Sequence, residues 1–206
     1  MNALSREEPI DPAHTALLII DVQNYCVTGT SEKTEYFRQS LRETVLPNIR
    51  RLQSASRAAG IEVIFSVIEN MTRDGRDRSL DYKISGIDVP RDSRDAQVLD
   101  EIAPTEDEMV FRKTSSSVFI STNIDYVLRN LGIRSLMIAG VMTDQCVESA
   151  VRDACDLGYL ITLVADACTT SSAERHAESL IGIRGYCRQR TSHEVLAEIE
   201  ALTTQT

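Results

Sequence analysis

Four apolar runs constrain the fold of this chain more than any other feature: TALLIIDV at 15–22, IEVIFSVI at 61–68, SLMIAGVM at 135–142 and YLITLVAD at 159–166. They are rich in β-branched and aliphatic residues and barely alternate between polar and apolar, so each reads as a strand buried on both faces. Between and after them lie stretches with helical spacing, at about 38–59, 119–131, 144–157 and 172–182. Gly60, Gly132 and Gly158 follow three of these stretches, where a helix C-terminus favours glycine. This alternation predicts right-handed β-α-β units. The expected fold is a three-layer α/β/α architecture, Rossmann-like, with a mostly parallel sheet of about six strands flanked by helices. The remaining strands are expected at MVFRK, 109–113, and around 186–191. The stretch 69–106, rich in Arg, Asp, Ser and Gly and carrying Pro90 and Pro104, reads as a long irregular excursion of the kind that serves as a lid or binding loop.

Length and charge narrow the function. The 206 residues suit one domain, 1–206, with a mobile start at 1–10. With 22 Lys and Arg against 31 Asp and Glu, the chain is not expected to hold a nucleic acid by its phosphates. No apolar run approaches the roughly 20 residues that span a bilayer, and the start MNALSREEPIDPAH has no apolar core behind basic residues, so a cytoplasmic protein without a membrane partner is expected. The five cysteines, Cys26, Cys146, Cys155, Cys168 and Cys187, form no CxxC pair and suggest neither a disulfide framework nor a zinc site. The three histidines, His14, His176 and His193, are scattered, which leaves few candidates for metal or Cys–His chemistry.

Ligands of open parallel sheets bind beyond the carboxyl ends of the strands, and three reactive side chains are expected there. Asp21 ends LLIID, Lys113 ends MVFRK, and Cys146 follows SLMIAGVM after the short turn Thr143–Asp144–Gln145. A thiol at a helix N-terminus feels the positive end of the helix dipole, and a neighbouring ammonium deepens that effect, so a lowered Cys146 pKa is expected. Asp21 is suited to take the thiol proton and return it to a departing amine. Taken singly, a cysteine in a helix's first turn is commonly an inert buried residue, and an Asp after a strand is commonly a helix cap.

The segments LLIIDVQN, KTSSSVFISTNIDYVLRNLG and MIAGVMTDQCVESAVRDACDLGY, with TLVADA at 162–167, together resemble the isochorismatase-like cysteine hydrolase family, in matching blocks from 15 to 170. The resemblance is to its amidohydrolase branch, nearest the ureide and biuret hydrolases. It implies a catalytic triad of Asp21, Lys113 and Cys146. It also implies a cis peptide between Val141 and Met142, which aims the backbone N–H groups of Met142 and Cys146 at one point as an oxyanion hole. No cofactor is implied, and the partners are a small amide or ureide substrate and further copies of the chain in a dimer or tetramer. The nicotinamidase branch binds a metal through an Asp and two His after its second strand. Here the corresponding IENMTRDGRDRSLDYK holds no His, so no metal is expected. The vinyl-ether-cleaving branch lacks the cysteine nucleophile, which places that chemistry second, and a non-catalytic binding or scaffold subunit is a further alternative. A ureide presents a planar edge of donors and acceptors, and Asn24, Tyr25, Glu69, Arg73 and Tyr82 are the expected substrate contacts.

Overall fold

The computed structural model describes residues 5–28 and 34–203. Its sheet has six strands: β1 Thr15–Ile20, β2 Glu62–Ile68, β3 Met109–Lys113, β4 Ser135–Val141, β5 Leu160–Thr169 and β6 Arg188–Arg190. Every pairing is parallel and the spatial order is β3-β2-β1-β4-β5-β6. Along β1, Leu17 and Ile19 face one core and Ala16, Leu18 and Ile20 face the other, which is why the strand reads as a continuous apolar run. Helices Leu46–Ala58 and Ser192–Thr203 cover the first face through Ile49, Leu52, Val195 and Ile199. Helices Ile124–Asn130, Glu148–Asp156 and Ala173–Ile183 cover the second through Leu128, Val151 and Ile183. The expected three-layer parallel architecture is therefore the observed one.

Local departures from the expected elements have local causes. The helical stretch that begins at Glu35 passes through a wider π-type turn, Leu41–Val45, before Leu46–Ala58. Pro47 falls in the first turn of that last segment, where its missing N–H removes little. The helix expected at 119–131 is broken into Val118–Ser121 and Ile124–Asn130. At the break Thr122 Oγ1 donates to the Val118 carbonyl (2.6 Å) and accepts the Ile124 N–H (3.2 Å), so a side chain takes over bonds the helix backbone would have made. The helix Ser192–Thr203 has no counterpart among the expected elements, and its burial of Val195 and Ile199 four residues apart is the pattern that identifies it.

The excursion 69–106 is more ordered than its composition suggests. It contains the short helix Leu80–Ile84 and single turns at Arg94–Ala96 and Asp100–Ile102, and Val98 bridges to Gln23. Tyr82, Val89 and Ala96 pack with Ile68 into a small core of their own. Of the start expected to be mobile, residues 1–4 lie outside the described residues, whereas Ile10 is buried and Glu7 pairs with Arg190.

One glycine is dictated by the approach of two strands. A Cβ on Gly140, whose φ is +129°, would stand 2.1 Å from the Ile20 carbonyl oxygen. Only glycine lets β4 lie this close to the end of β1, immediately beside Asp21.

Candidate active site

Strand order reverses between β1 and β4, and a crevice opens there at the carboxyl ends. Asp21 is the first residue beyond β1, and its φ of 56° lies in the left-handed region, a strain of about 1–3 kcal/mol for a residue with a Cβ. The conformation is held by Asp21 N–H to the Ser66 carbonyl (2.9 Å) and by Gln23 N–H (3.0 Å) and Cys26 Sγ (2.8 Å) to the Asp21 carbonyl. Lys113 is the last residue of β3, in register with Ile68 of β2. Cys146 sits in a π-type turn, Thr143–Val147, between β4 and helix Glu148–Asp156. The Val141–Met142 peptide is cis, as the resemblance implies.

These three side chains meet. Lys113 Nζ lies 2.8 Å from Asp21 Oδ2 and 3.3 Å from Cys146 Sγ, with Lys113 fully buried and Asp21 2% exposed. The ammonium also donates to Tyr82 Oη and to the Ser115 carbonyl, each at 2.9 Å. Four partners surround its three N–H bonds, and the Asp21 carboxylate is the nearest of them. Asp21 Oδ1 accepts from Ser66 Oγ at 2.9 Å. One carboxylate oxygen is thus anchored and the other keeps a lone pair for a proton.

The electrostatics differ from the expectation for Cys146. Burial pushes its thiol up to about 12; Lys113 pulls against this, and the neighbouring Asp21 carboxylate adds to it. Cys146 lies in a broad turn and is only 6% exposed, and desolvation outweighs both the ammonium and any dipole. Cys146 therefore rests as a neutral thiol at pH 7, and the expected lowered pKa is corrected. Burial acts on Lys113 in the opposite sense, but Asp21 and then Cys146 reverse it and hold the ammonium well above its ordinary value. Burial likewise raises Tyr82, so its hydroxyl stays protonated beside the ammonium.

A cavity of about 430 Å³ opens over Cys146. Tyr25 lines it, as expected, together with Met142 and Gln145. Asn24, Glu69, Arg73 and Tyr82 do not, and each has a physical reason. Asn24 Nδ2 donates to the Gln97 carbonyl (3.0 Å). Glu69 is buried with its oxygens on the Asp92 N–H (2.8 Å) and Arg112 (2.9 Å). Arg73 is exposed. Tyr82 lies behind the site, donating to the Ser115 carbonyl (2.8 Å), accepting from Lys113 and standing 3.7 Å from Cys146 Sγ. It belongs to the cluster as a support for the ammonium and not as a wall of the cavity.

Other participants escaped sequence reasoning. Gln23, fully buried, bridges the ends of β1 and β2 by donating to the Ile68 carbonyl (2.9 Å) and accepting the Ile68 N–H (2.6 Å). The Cys146 turn is clamped from helix Ala173–Ile183. There His176 Nδ1 meets Thr143 Oγ1 at 2.8 Å, and Arg175 meets Asp144 at 2.5 Å. Burial lowers the His176 pKa, keeping the ring neutral at pH 7. Asp81, Ser85, Ser116 and Ser149 complete the polar lining. An "Asp after an apolar strand" is a recognisable signal, but nothing local to these residues marks them. Among the described residues no three His, Cys, Asp or Glu side chains are gathered as a metal would require.

A family model described as the isochorismatase domain matches residues 15–195. The chain belongs to the isochorismatase family. Among curated relatives in this family, the ureidoacrylate amidohydrolase RutB of Agrobacterium fabrum is 32% identical over 189 residues, covering 81% of this chain and 82% of that one. The protein of the same name from Serratia proteamaculans is 34% identical over 176 residues, 76% of this chain and 70% of its own. Among solved structures, a cysteine hydrolase from Pseudomonas syringae pv. phaseolicola superposes with a TM-score of 0.84 at 25% identity, covering 98% and 99% of the two chains. N-carbamoylsarcosine amidase from Thermoplasma acidophilum shares the isochorismatase-family fold, with a TM-score of 0.73 at 23% identity over 87% of this chain and 96% of that one.

Proposed function

We propose that this member of the isochorismatase family is a cysteine-dependent amidohydrolase that cleaves a C–N bond of a small amide or ureide. The observation that carries the reading is the Cys146 thiol at the base of the cavity, 3.3 Å from a fully buried ammonium that itself pairs with Asp21. The names of the curated relatives, and the chemistry of a thiol beside a base, support it.

In this reading the resting site holds a neutral thiol, an Asp21 carboxylate and a Lys113 ammonium. As the substrate carbonyl enters, Asp21 Oδ2 takes the Cys146 proton and the sulfur attacks carbon. Lys113 stabilises the developing thiolate, and the backbone N–H groups of Met142 and Cys146 receive the carbonyl oxygen as it gains charge. Asp21 returns the proton to the departing nitrogen, and ammonia or an amine leaves. Water then hydrolyses the thioester, or the thiocarbamate if the substrate is a ureide, with Asp21 again as base. A high thiol pKa suits this sequence, because the proton is removed only when an electrophile is in place. A cytoplasmic location and a dimer or tetramer as assembly form part of the same proposal, the assembly resting on the resemblance; no helix among the described residues is long and apolar enough to cross a membrane.

Rapid quench of the enzyme with a slow ureide, followed by peptide mass mapping, is expected to find the carbamoyl group on Cys146. Cys146→Ala is expected to lose at least about 10³-fold in kcat and to remain folded, since it removes the nucleophile and one small side chain. A Cys146→Ala enzyme retaining more than a few per cent of the rate would return first place to acid catalysis led by Asp21.

A further inference from the structure

The cavity over Cys146 carries an unbalanced charge. Among its described lining residues are three carboxylates, Asp21, Asp81 and Asp144, and no Lys, Arg or His. Two of the three are compensated from behind. Lys113 sits 2.8 Å from Asp21, and Arg175 sits 2.5 Å from Asp144, whose other oxygen accepts from Thr170 Oγ1 at 2.5 Å. Asp81 is different. It lies exposed in the first turn of helix Leu80–Ile84, and among the described residues its carboxylate meets only the Ser85 hydroxyl, at 3.5 Å. The three cations nearest Asp81 in sequence are engaged elsewhere: Lys83 Nζ on the Arg76 carbonyl (2.8 Å), Arg76 on Asp74 (3.0 Å) and Arg78 on the Ile87 carbonyl (2.9 Å).

We propose, resting on the amidohydrolase reading, that the cavity selects uncharged or cationic amides and ureides over anionic ones, with Asp81 as the specificity-determining residue. An anionic ureide such as a ureidoacrylate brings a carboxylate into a cleft whose one uncompensated group is already negative. No described side chain of the lining offers it a counter-charge, and Ile68, Ile87 and Met142 provide apolar wall where an unpaired charge is costly. The hydroxyls of Ser85, Ser116 and Ser149 suit an uncharged polar edge, and Asp81 suits an N–H or ammonium. A cleft lined by one sign of charge concentrates its counter-ions by a factor of about 10 or more at low salt, which sets the size of the expected discrimination. The chain's net charge of −9 acts in the same direction.

Two measurements test this separately from the activity itself. In the first, Cys146 is labelled with a cationic and an anionic methanethiosulfonate, the label being assigned by peptide mass mapping. The cationic reagent is expected to react at least about tenfold faster at low ionic strength, with the ratio falling on addition of salt and at least threefold in Asp81→Asn. Equal rates, a faster anionic reagent, or a ratio untouched by Asp81→Asn would overturn the proposal. In the second, kcat/KM is compared for β-ureidopropionate, β-ureidopropionamide and aminoethylurea. The anion is expected to be poorest by about tenfold or more, and Asp81→Asn to narrow the gap mainly through KM. If all three are turned over with the anion best, charge selection fails and the amidohydrolase reading stands. If none is turned over while the labelling preference holds, the amidohydrolase reading fails and charge selection stands.

Discussion

Two regions meet near the cavity, and they obey different rules. The ends of β1, β3 and β4 present Asp21, Lys113 and Cys146, whose positions follow from parallel strands in fixed register. The excursion 69–106 presents many more polar side chains, yet several of them bond to the excursion itself. Asp77 accepts the Met71 N–H (2.8 Å) and Thr72 N–H (3.0 Å), and Asn70 donates to Asp88 (2.7 Å). A polar group at a strand end has nothing local to bond to and is available to a partner across the crevice. A polar group in a folded loop is first a means of satisfying that loop's backbone.

The largest effect that tests this contrast is expected from Lys113→Met. Removing one partner of a fully buried ion pair leaves an uncompensated carboxylate and costs about 3–5 kcal/mol, and the thiolate also loses its cation. Urea denaturation should show the loss of stability, and kcat should fall about 10²-fold or more. Lys113→Arg should not restore activity, because a planar guanidinium cannot place a compact charge between Asp21, Tyr82 and Cys146. A Lys113→Met enzyme within about 1 kcal/mol of wild type would mean that the strand-end cluster is no more committed than the excursion.

A second effect is alkaline. Burial raises Cys146 and Cys168 to about 12 and Cys187 to about 11, against an ordinary value of 9.0. A folded state that holds these protons more tightly than the unfolded chain enjoys that stability in full below about pH 9. It loses it as pH rises through the folded values, and the raised Lys113 acts in the same sense. Chemical denaturation at about pH 8 and about pH 10 should show the midpoint falling, with a shallower fall in Cys168→Ser. For the same reason iodoacetamide should alkylate resting Cys146 slowly at neutral pH. Rapid alkylation there would reinstate the depressed thiol pKa that the helix-dipole argument expected.

How much was legible follows the same division. The strands, their parallel sense and the three side chains at their ends were readable because buried parallel strands leave continuous apolar runs and the end of a run marks the mouth of the sheet. Pairing order was not legible, because nothing local to a strand marks which strand lies beside it. The height of the Cys146 pKa was not readable, because it depends on how deeply the turn is buried, a property of packing and not of sequence neighbours. Nor were the cavity's Asp81, Ser116 and Gln145, whose inward placement depends on the path of two loops. Tyr82 was expected as a substrate contact, whereas here its hydroxyl supports Lys113 from behind and its ring is part of the excursion's small core.

Tyr82 joins the two regions, and a moderate effect is expected from Tyr82→Phe. The ring remains in the small core with Val89, while the ammonium loses an acceptor 2.9 Å away and the sulfur loses a neighbour at 3.7 Å. One buried hydrogen bond to a charged group is worth about 1.5–3 kcal/mol, so kcat should fall about tenfold with KM little changed. A rise in KM with unchanged kcat would instead make Tyr82 a substrate contact and would mean that the cavity rearranges on binding.

The smallest effect is expected within the excursion. Glu69 is buried and holds the Asp92 N–H and Arg112, so Glu69→Gln should reduce stability by about 1–3 kcal/mol while kcat/KM stays within about threefold. Arg73 is exposed, and Arg73→Ala should leave stability within about 0.5 kcal/mol and kcat/KM within about twofold. The two variants together separate a residue that builds the loop from one that only decorates it, and neither should touch the chemistry. The decisive measurement is kcat/KM of Arg73→Ala on an uncharged and an anionic ureide. A tenfold loss confined to the anion would mean that substrate draws the excursion over the cavity and brings this guanidinium to a carboxylate. The loop would then be a binding element after all, and the charge of the cavity in the absence of substrate would be a poor guide to its charge when occupied.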